Sequence, residues 1–320
     1  ALDTKERSVI RDDLTNWSAW SAPYPLAGVV DEGLLADPLA GTPVASPTPR
    51  RYFQFMIQFF NDSFDAATGT GALAVDVTKP AFAQSLIAEI FPRQAELGRE
   101  TEFTYAVLTK VGSGFGFDRL EITTPVRPSA VGLVEIERPD GTSVKADFSA
   151  TDLEALPQTV NGVTIKAVTS NTLILSFPII DDDGTLLKVR FTNAVLRFGT
   201  RFNGRALSGD NRIGQRVLGG NAADLNSTEI EDLDVGSIGS LRQGNLAVSV
   251  PISEDLLVNV KAEPDVFSPN GDGINDESII TYDVTNIGKE TDVKVRIYDL
   301  SGRQVRAFDD PRTSGRFSHA

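Results

Sequence analysis

One stretch near the C-terminal end, residues 266–277, most constrains how this chain can fold. It reads VFSPNGDGINDE and contains one Pro, two Gly, two Asn and three acidic residues. This composition excludes the interior of a helix or strand and predicts an ordered turn. Runs that are typical of strands flank the turn, at 256–260, 279–284, 293–300 and 304–308. Short strands separated by tight turns predict a β-sandwich.

Three motifs of this region, FSPNGDGINDE, IITYDV and VKVRIYDLSGRQVR, carry a family resemblance. They resemble the C-terminal Ig-like domain of the FlgD-like or gliding-motility type, which occurs in bacterial secreted and surface proteins. The resemblance covers residues 256–310, under a fifth of the chain. It implies an Ig-like fold and an extracellular or cell-surface location, and it implies no biochemical activity.

Composition narrows the classes of partner and of chemistry. The net charge of −14 and the pI of about 4.6 argue against nucleic acid as a partner. No apolar run is long enough for a membrane-spanning helix, so we expect no membrane insertion. There is no cysteine, and the only histidine is His319, which disfavours thiol chemistry and histidine-based catalysis. We therefore expect a protein that is not an enzyme.

Other features of the sequence bear on export and on catalysis. The chain begins Ala1-Leu2-Asp3 without Met, which fits an exported protein whose signal peptide has been removed, although a trimmed chain would look the same. A carboxylate pair for glycoside hydrolysis is the enzyme class that the composition leaves open, and nothing in the sequence supports it.

Residues 1–50 predict an N-terminal arm with a short helix at 3–15 followed by a Pro-rich linker. Six prolines between residues 16 and 50 exclude regular elements there. Two interpretations stay open, a disordered leader and an extended arm that docks on a neighbouring subunit. The anchors of a docking arm would be aromatic and leucine side chains, namely Trp17, Trp20, Tyr24, Leu34 and Leu35.

Residues 51–225 predict a first β-sandwich domain. The run 52–60, YFQFMIQFF, predicts a strand buried on both faces, and 80–91 predicts a helix. Further strands are predicted at 102–110, 120–123, 131–137, 144–148, 163–168, 173–177, 186–191 and 194–198. Asp181-Asp182-Asp183-Gly184 predicts a solvated hairpin tip. FTYAV, GFDRLEI, LKVRF and FGTRFNG are similar to non-catalytic β-sandwich regions upstream of FlgD-like domains.

The remaining residues predict a linker at 226–255 and an apparently incomplete FlgD-like Ig-like domain at 256–320. An Ig-like sandwich has about seven strands in about 100 residues, whereas this stretch has 65 residues. The missing strands would come from a longer protein or from another subunit, since open sheet edges pair with further strands. The fold class is thus all-β, with tandem β-sandwich (Ig-like) domains and an extended N-terminal arm.

The turn at 266–277 is also a candidate metal site. Asn270, Asp272, Asp276 and Glu277 offer the oxygen ligands that Ca²⁺ prefers, so calcium is the candidate cofactor. The spacing is not that of an EF-hand, because Ser268 and Ile279 stand at its first and last ligand positions. The alternative is that these side chains tie the turn through hydrogen bonds to its own backbone.

These observations predict a non-enzymatic exported structural or adhesive protein. It would be a subunit of a bacterial extracellular filament, sheath or surface matrix that self-associates through β-strand and arm contacts. The alternative is the non-catalytic, ligand-binding portion of a larger secreted hydrolase, either a carbohydrate-binding module or a calcium-dependent adhesin. A carbohydrate-binding module would show a groove with exposed aromatic side chains, and both Trp residues lie in the arm.

Overall fold

The computed structural model describes residues 81–211, 213–225, 245–251, 253–268 and 271–319. It also describes a few earlier residues, namely 17, 20, 21, 23, 44, 52–59, 69, 73, 75 and 77. The regular structure of these residues is almost entirely strand, so the predicted all-β class is confirmed. The predicted helix at 3–15 lies outside the described residues, as does most of the predicted arm.

Nineteen strands follow one another along the described residues: β1 (Ser85–Phe91), β2 (Glu100–Lys110), β3 (Phe117–Thr123), β4 (Ala130–Glu137), β5 (Ser143–Asp147), β6 (Gln158–Val160), β7 (Val163–Val168), β8 (Thr172–Ile180), β9 (Leu186–Ala194), β10 (Thr200–Arg201), β11 (Gly204–Leu207), β12 (Gln215–Arg216), β13 (Leu218–Gly219), β14 (Ala247–Val248), β15 (Leu257–Glu263), β16 (Ile279–Val284), β17 (Thr291–Tyr298), β18 (Gln304–Arg312) and β19 (Gly315–His319).

Two six-stranded sheets form a sandwich-like body, which we call the sandwich (residues 81–250). Their strand orders are β13-β1-β2-β9-β4-β5 and β12-β11-β3-β8-β7-β6. Inward side chains of both sheets belong to one buried apolar cluster. At its centre the rings of Phe103, Phe191 and Phe202 lie with centroids 5.2 to 6.2 Å apart, the separation that aromatic pairs favour.

The alternation along β2 shows why these residues form strands. Phe103, Tyr105 and Val107 are fully buried on one face, whereas Glu102 is exposed and Thr104 partly buried on the other, where the small side chain of Ala106 is also buried. Because successive side chains of a strand point to opposite faces, this period of two covers one face with apolar groups. Burial without a hydrogen-bond partner raises the pKa of the Tyr105 hydroxyl.

The short turns of the sandwich follow their sequence signals. Asn161 and Gly162, with φ of 47° and 81°, close the hairpin between β6 and β7. Two consecutive residues with positive φ are what a type I′ turn requires, so the Asn-Gly prediction is confirmed. The Pro139-Asp140-Gly141 turn likewise joins β4 to β5, which pair as an antiparallel hairpin.

The predicted helix at 80–91 is wrong, because this segment forms β1. Its residues Leu86, Ala88 and Ile90, two apart, are fully buried, and β1 pairs with β2 along its whole length. The apolar run is short enough to satisfy a helical and a strand period at once. Pairing with β2 and with β13 decided between them.

The predicted buried strand at 52–60 is also wrong over the residues described. Residues 52–59 have no regular structure, and their large apolar side chains are exposed, with Tyr52 at 76% and Met56 at 62%. Strand propensity reflects a fit to neighbouring strands more than a backbone preference. The described part of this chain supplies no neighbour for the segment.

The acidic run 181–184 is not a hairpin tip, because it carries the chain from one sheet to the other. β8 pairs with β3 and β7, whereas β9 pairs with β2 and β4. The Asp183 carboxylate accepts a hydrogen bond of 2.7 Å from the Gly112 amide, and Arg138 donates to the Asp182 carboxylate. These contacts anchor the crossing, so the run has a structural role in the sandwich.

Part of the predicted linker at 226–255 belongs to the core of the sandwich. Leu246, Val248 and Val250 are buried in the same apolar cluster as the two sheets, and β14 pairs with β10. Residues 226–244 lie outside the described residues. Residues 246–250 therefore belong to the sandwich and not to a linker.

The last five strands make a smaller unit, which we call the C-terminal unit (residues 256–319). β15, β16 and β19 form one sheet, and β17 and β18 form a two-stranded ribbon. The ribbon meets the sheet through stacked rings, with Phe308 and His319 at 4.2 Å and Tyr282 and His319 at 5.7 Å. The Tyr282 hydroxyl and His319 Nε2 also form a hydrogen bond of 3.0 Å. This aromatic stack is the centre of the unit.

Polar contacts join the C-terminal unit to the sandwich. Arg316 on β19 donates to both oxygens of Asp283, at 2.9 and 3.2 Å, and to Glu100 on β2 at 2.8 Å. The Asp283 side chain is only 1% exposed. The hydrogen bonds with Asp283, and next those with Glu100, raise the pKa of the Arg316 guanidinium. The strand β19 is thereby fixed to its own sheet and to the sandwich at once.

The same junction includes a close backbone approach. Asn259 donates 2.7 Å hydrogen bonds to the Gly98 carbonyl and to Asp283. Gly98 has φ of 71°, and a Cβ at this position would lie 2.6 Å from Val258 Cγ2. Only glycine combines that φ with the necessary space. The Asn286 amide adds a 2.9 Å bond to the Leu196 carbonyl.

We expect Phe103→Ala to destabilise the sandwich by about 3–5 kcal/mol, because it removes a buried ring from the centre of the core. The matched control is Phe91→Ala, whose ring is 42% exposed at the end of β1, and we expect a change within about 0.5 kcal/mol for it. Urea unfolding followed by circular dichroism measures both. Equal losses would contradict the core that the structure shows.

We expect Arg316→Gln to loosen β16 and β19, because it leaves the buried Asp283 carboxylate without its cationic partner. Charge-assisted hydrogen bonds of this kind contribute about 1–3 kcal/mol. The control is Arg303→Gln, since Arg303 pairs with Asp299 with its own side chain 80% exposed, where ion pairs contribute little. Hydrogen–deuterium exchange should rise in β16 and β19 of the first variant alone. A similar rise in both would argue against a junction held by Arg316.

Candidate functional site

The loop at 266–277 connects β15 to β16 and is closed by its own backbone. The Ser268 amide donates a 2.8 Å hydrogen bond to the Asn275 carbonyl. Asn275 has φ of 54°, and Gly271 and Gly273 have φ of 79° and 81°. The concentration of Gly and Asn in the sequence therefore corresponds to a backbone that repeatedly visits the left-handed region. The predicted ordered turn is confirmed.

Two of the predicted metal ligands are directed at the backbone of this loop. Asp276 accepts hydrogen bonds of 2.7 Å from the amides of Gly271 and Gly273, one on each carboxylate oxygen. Asp272 accepts a bond of 2.8 Å from the Ile274 amide. Glu277 is exposed, and Asn270 lies outside the described residues. The structure thus places Asp272 and Asp276 in the same small loop.

This geometry shows that the turn is tied by its own carboxylates, as one of the two interpretations expects. Oxygens that accept one amide proton keep further lone pairs, so the tie does not prevent them from meeting a cation. In residues 253–268 and 271–319, no three Asp, Glu or His side chains form a group that could hold a metal. Calcium at Asn270, Asp272, Asp276 and Glu277 stays a prediction.

A second turn of the C-terminal unit uses the same device. Asp299 Oδ1 accepts from the Ser301 hydroxyl at 2.6 Å and from the Arg303 amide at 2.9 Å. These hydrogen bonds, with that of the Ser301 hydroxyl first, lower the pKa of the Asp299 carboxyl. The turn between β17 and β18 is therefore tied in the way that the longer loop is tied. It offers an internal comparison for any test of metal binding.

The feature that the sequence did not predict is a difference in exposed apolar surface between the two parts of the chain. The described residues of the sandwich expose four large apolar side chains, whereas the C-terminal unit exposes ten. Those of the C-terminal unit are Leu256, Leu257, Val260, Val266, Phe267, Ile274, Ile279, Tyr298, Leu300 and Val305. In the described part of the unit the buried apolar side chains are Tyr282 and Val284. The unit has little core of its own.

Its strands also have unpaired edges. In the described part of the chain β17 pairs with β18 alone, and β15 and β19 each pair with β16 alone. Unpaired edges present backbone amides and carbonyls to any strand that approaches. Together, the open edges and the exposed apolar groups make the C-terminal unit the candidate interaction surface.

Two shallow clefts lie beside the junction with the sandwich. One, of about 510 Å³, is lined by polar and small residues that include Glu96, Arg99 and Glu100. The other, of about 440 Å³, is lined by Arg197, Phe198, Ser253, Asn286 and Gly288. Phe198 is the aromatic side chain in these linings, and it is 64% exposed. Neither lining presents the row of aromatic side chains that a sugar-binding groove would need.

No known family model matches the chain, and no curated protein sequence is similar to it. The FlgD-like assignment of residues 256–310 therefore stays a prediction that rests on the three motifs. In the ranges that the structure describes, no helix combines the length and the apolar character needed to cross a membrane.

If the loop binds calcium, added calcium should raise the unfolding temperature, since a ligand of the native state alone stabilises it. Asp272→Asn and Asp276→Asn should abolish this rise, because both remove a ligand charge. The matched control is Asp299→Asn, which alters a tied turn outside the loop and should keep the full calcium response. Calorimetric titration with calcium gives the affinity.

A different result is expected for Asp276→Asn if the carboxylates only tie the turn and the loop binds no calcium. Asp276→Asn should then lower the unfolding temperature equally with calcium and with a chelator, because only the amide hydrogen bonds are weakened. An absent calcium response in the unsubstituted protein would reject the metal site.

Proposed function

We propose that this protein is a non-enzymatic structural or adhesive protein of a bacterial surface or extracellular matrix. It acts as a subunit that self-associates through β-strand contacts and through its N-terminal arm. It is exported, and its C-terminal unit is an Ig-like domain of the FlgD-like type. These statements rest on the sequence resemblance together with the surface of the C-terminal unit.

The observation that carries the proposal is the exposed apolar surface of the C-terminal unit. Ten large apolar side chains are exposed there beside unpaired strand edges. Large exposed apolar patches on folded proteins mark sites of association. The sandwich, with a closed core, supplies a rigid body on which such a surface can act.

Two residues of the arm support the same proposal. Trp17 and Trp20 are 45% and 53% exposed. Tryptophan is among the residue types that dominate protein interfaces, since it combines a large apolar area with little conformational freedom. Both side chains suit an arm that anchors on a neighbouring subunit.

The second candidate is the ligand-binding portion of a larger secreted hydrolase. The exposed Phe198 beside Arg197 in the cleft of about 440 Å³ favours it, because one aromatic face with polar neighbours can hold a sugar ring. The calcium-dependent form of this candidate depends on the loop at Asp272 and Asp276. A subunit that assembles and a module that binds a ligand differ in their oligomeric state.

We expect the purified protein to form ordered fibres, tubes or sheets in electron micrographs and to sediment faster as its concentration rises. Micrographs with and without EDTA test whether calcium at the Asp272 loop stabilises the assemblies. Dispersed monomers in both conditions would reject the structural subunit and favour the binding module.

A further inference from the structure

The segment 52–59 is the most apolar exposed stretch among the described residues. Phe53, Phe55 and Phe59 are exposed by about half, and no strand pairs with the segment. The rings of Phe53 and Phe55 lie with their centroids 6.1 Å apart. In an extended conformation positions 53, 55, 57 and 59 of YFQFMIQF share one face, which is apolar throughout. The opposite face is mixed, with Gln54 and Gln58 alternating with Tyr52 and Met56. A strand of this kind can cover an apolar face with its phenylalanine side.

The ribbon β17–β18 offers an edge of matching pattern. On β17 the side chains of Val293, Val295 and Ile297 are half-buried, whereas Asp292, Lys294 and Arg296 between them are exposed. A strand added beside β17 would continue the apolar face of the ribbon with the phenylalanines of the segment.

The sequence also distinguishes the two edges of the ribbon. β18 contains Pro311, opposite Asp292 of β17. Proline lacks an amide proton and is tolerated in a strand where that position faces away from the partner. The outer edge of β18 is thus interrupted by Pro311, whereas β17 contains no proline. The outer edge of β17 is the better acceptor.

We propose that the segment 52–59 of one copy of this chain adds as a strand to the outer edge of β17 of a second copy. The proposal rests on the self-association proposed above and names the surfaces that make it. Donor and acceptor occur once in each chain, so the contact is head-to-tail and generates fibres unless the subunits close into a ring. The backbone hydrogen bonds of the added strand contribute affinity, and the alternating side chains set its orientation.

Cross-linking between two populations of the full chain tests the contact directly. The chain has no cysteine, so Gln58→Cys in one population and Lys294→Cys in the other give single reactive sites at polar positions of donor and acceptor. A short bismaleimide should join the two populations into a heterodimer after mixing. Peptide mapping should place the bridge between positions 58 and 294.

A pair of matched substitutions tests the chemistry of the added strand. Phe55→Asp, added to the Gln58→Cys chain, places a charge on the face to be buried and should weaken association about 100-fold, because burying an unpaired carboxylate is costly. Gln54→Asp places the same charge on the opposite face, where it replaces a side chain that is already polar, and should leave the heterodimer yield nearly unchanged. Neither substitution threatens the fold, since the segment has no regular structure.

Each contrary outcome has one meaning. A third chain carries both Gln58→Cys and Lys294→Cys. A bridge that forms only within this chain, and never between chains, would overturn the proposal, because it would show that the segment docks on its own β17. Assemblies that persist without any bridge would overturn this contact and leave the structural function standing. A protein that sediments as a monomer at all concentrations would overturn both.

Discussion

Burial of apolar strand faces between two six-stranded sheets is the constraint on which the rest of the structure depends. An alternating strand has one face that must be covered, and the sandwich covers it with the facing sheet. Phe103, Phe191 and Phe202 meet where the two layers are in contact. The crossing at 181–184 and the return of the chain at 245–250 both follow, because each brings a further part of the chain to that core.

The C-terminal unit is held together by a different set of interactions. Its centre is the stack of Tyr282, Phe308 and His319, and its position depends on Arg316, which contacts the buried Asp283 and the sandwich residue Glu100 together. Polar and aromatic contacts of this kind are directional, so they fix orientation where little apolar area is buried. The unit is oriented by the sandwich and leaves most of its apolar side chains on the surface.

That surface connects the fold to the proposed function. An unpaired strand is satisfied by any chain that supplies backbone partners and a complementary face. The segment 52–59 has a face of phenylalanine and isoleucine side chains, and it lies far along the sequence from β17. In the proposed subunit, the kind of strand pairing that closes the sandwich would also join neighbouring copies. The tied loops at Asp276 and Asp299 keep the ends of the neighbouring strands in place.

Much of the local structure could be predicted from the sequence. The strands β2, β4, β7 and β16 were predicted to within a few residues, because short runs rich in β-branched and aromatic residues are typical of strands. The Asn161-Gly162 turn and the loop around Asp276 were also predictable, since few residue types adopt their backbone angles. At the candidate site the sequence named Asp272 and Asp276, whose carboxylates accept hydrogen bonds from the loop backbone, while calcium binding there stays a prediction.

The sequence alone therefore determined the all-β class, the turns at Asn161-Gly162 and around Asp276, and the positions of several strands, because these depend on neighbours one to four residues apart. Tertiary structure decided the rest. β1 is a strand because β2 and β13 pair with it, and 181–184 is a crossing because its flanking strands pair in different sheets. Residues 52–59 are exposed because the described part of the chain brings no partner to them. Pairing and burial join residues far apart in sequence, and no local pattern specifies which distant residues will meet.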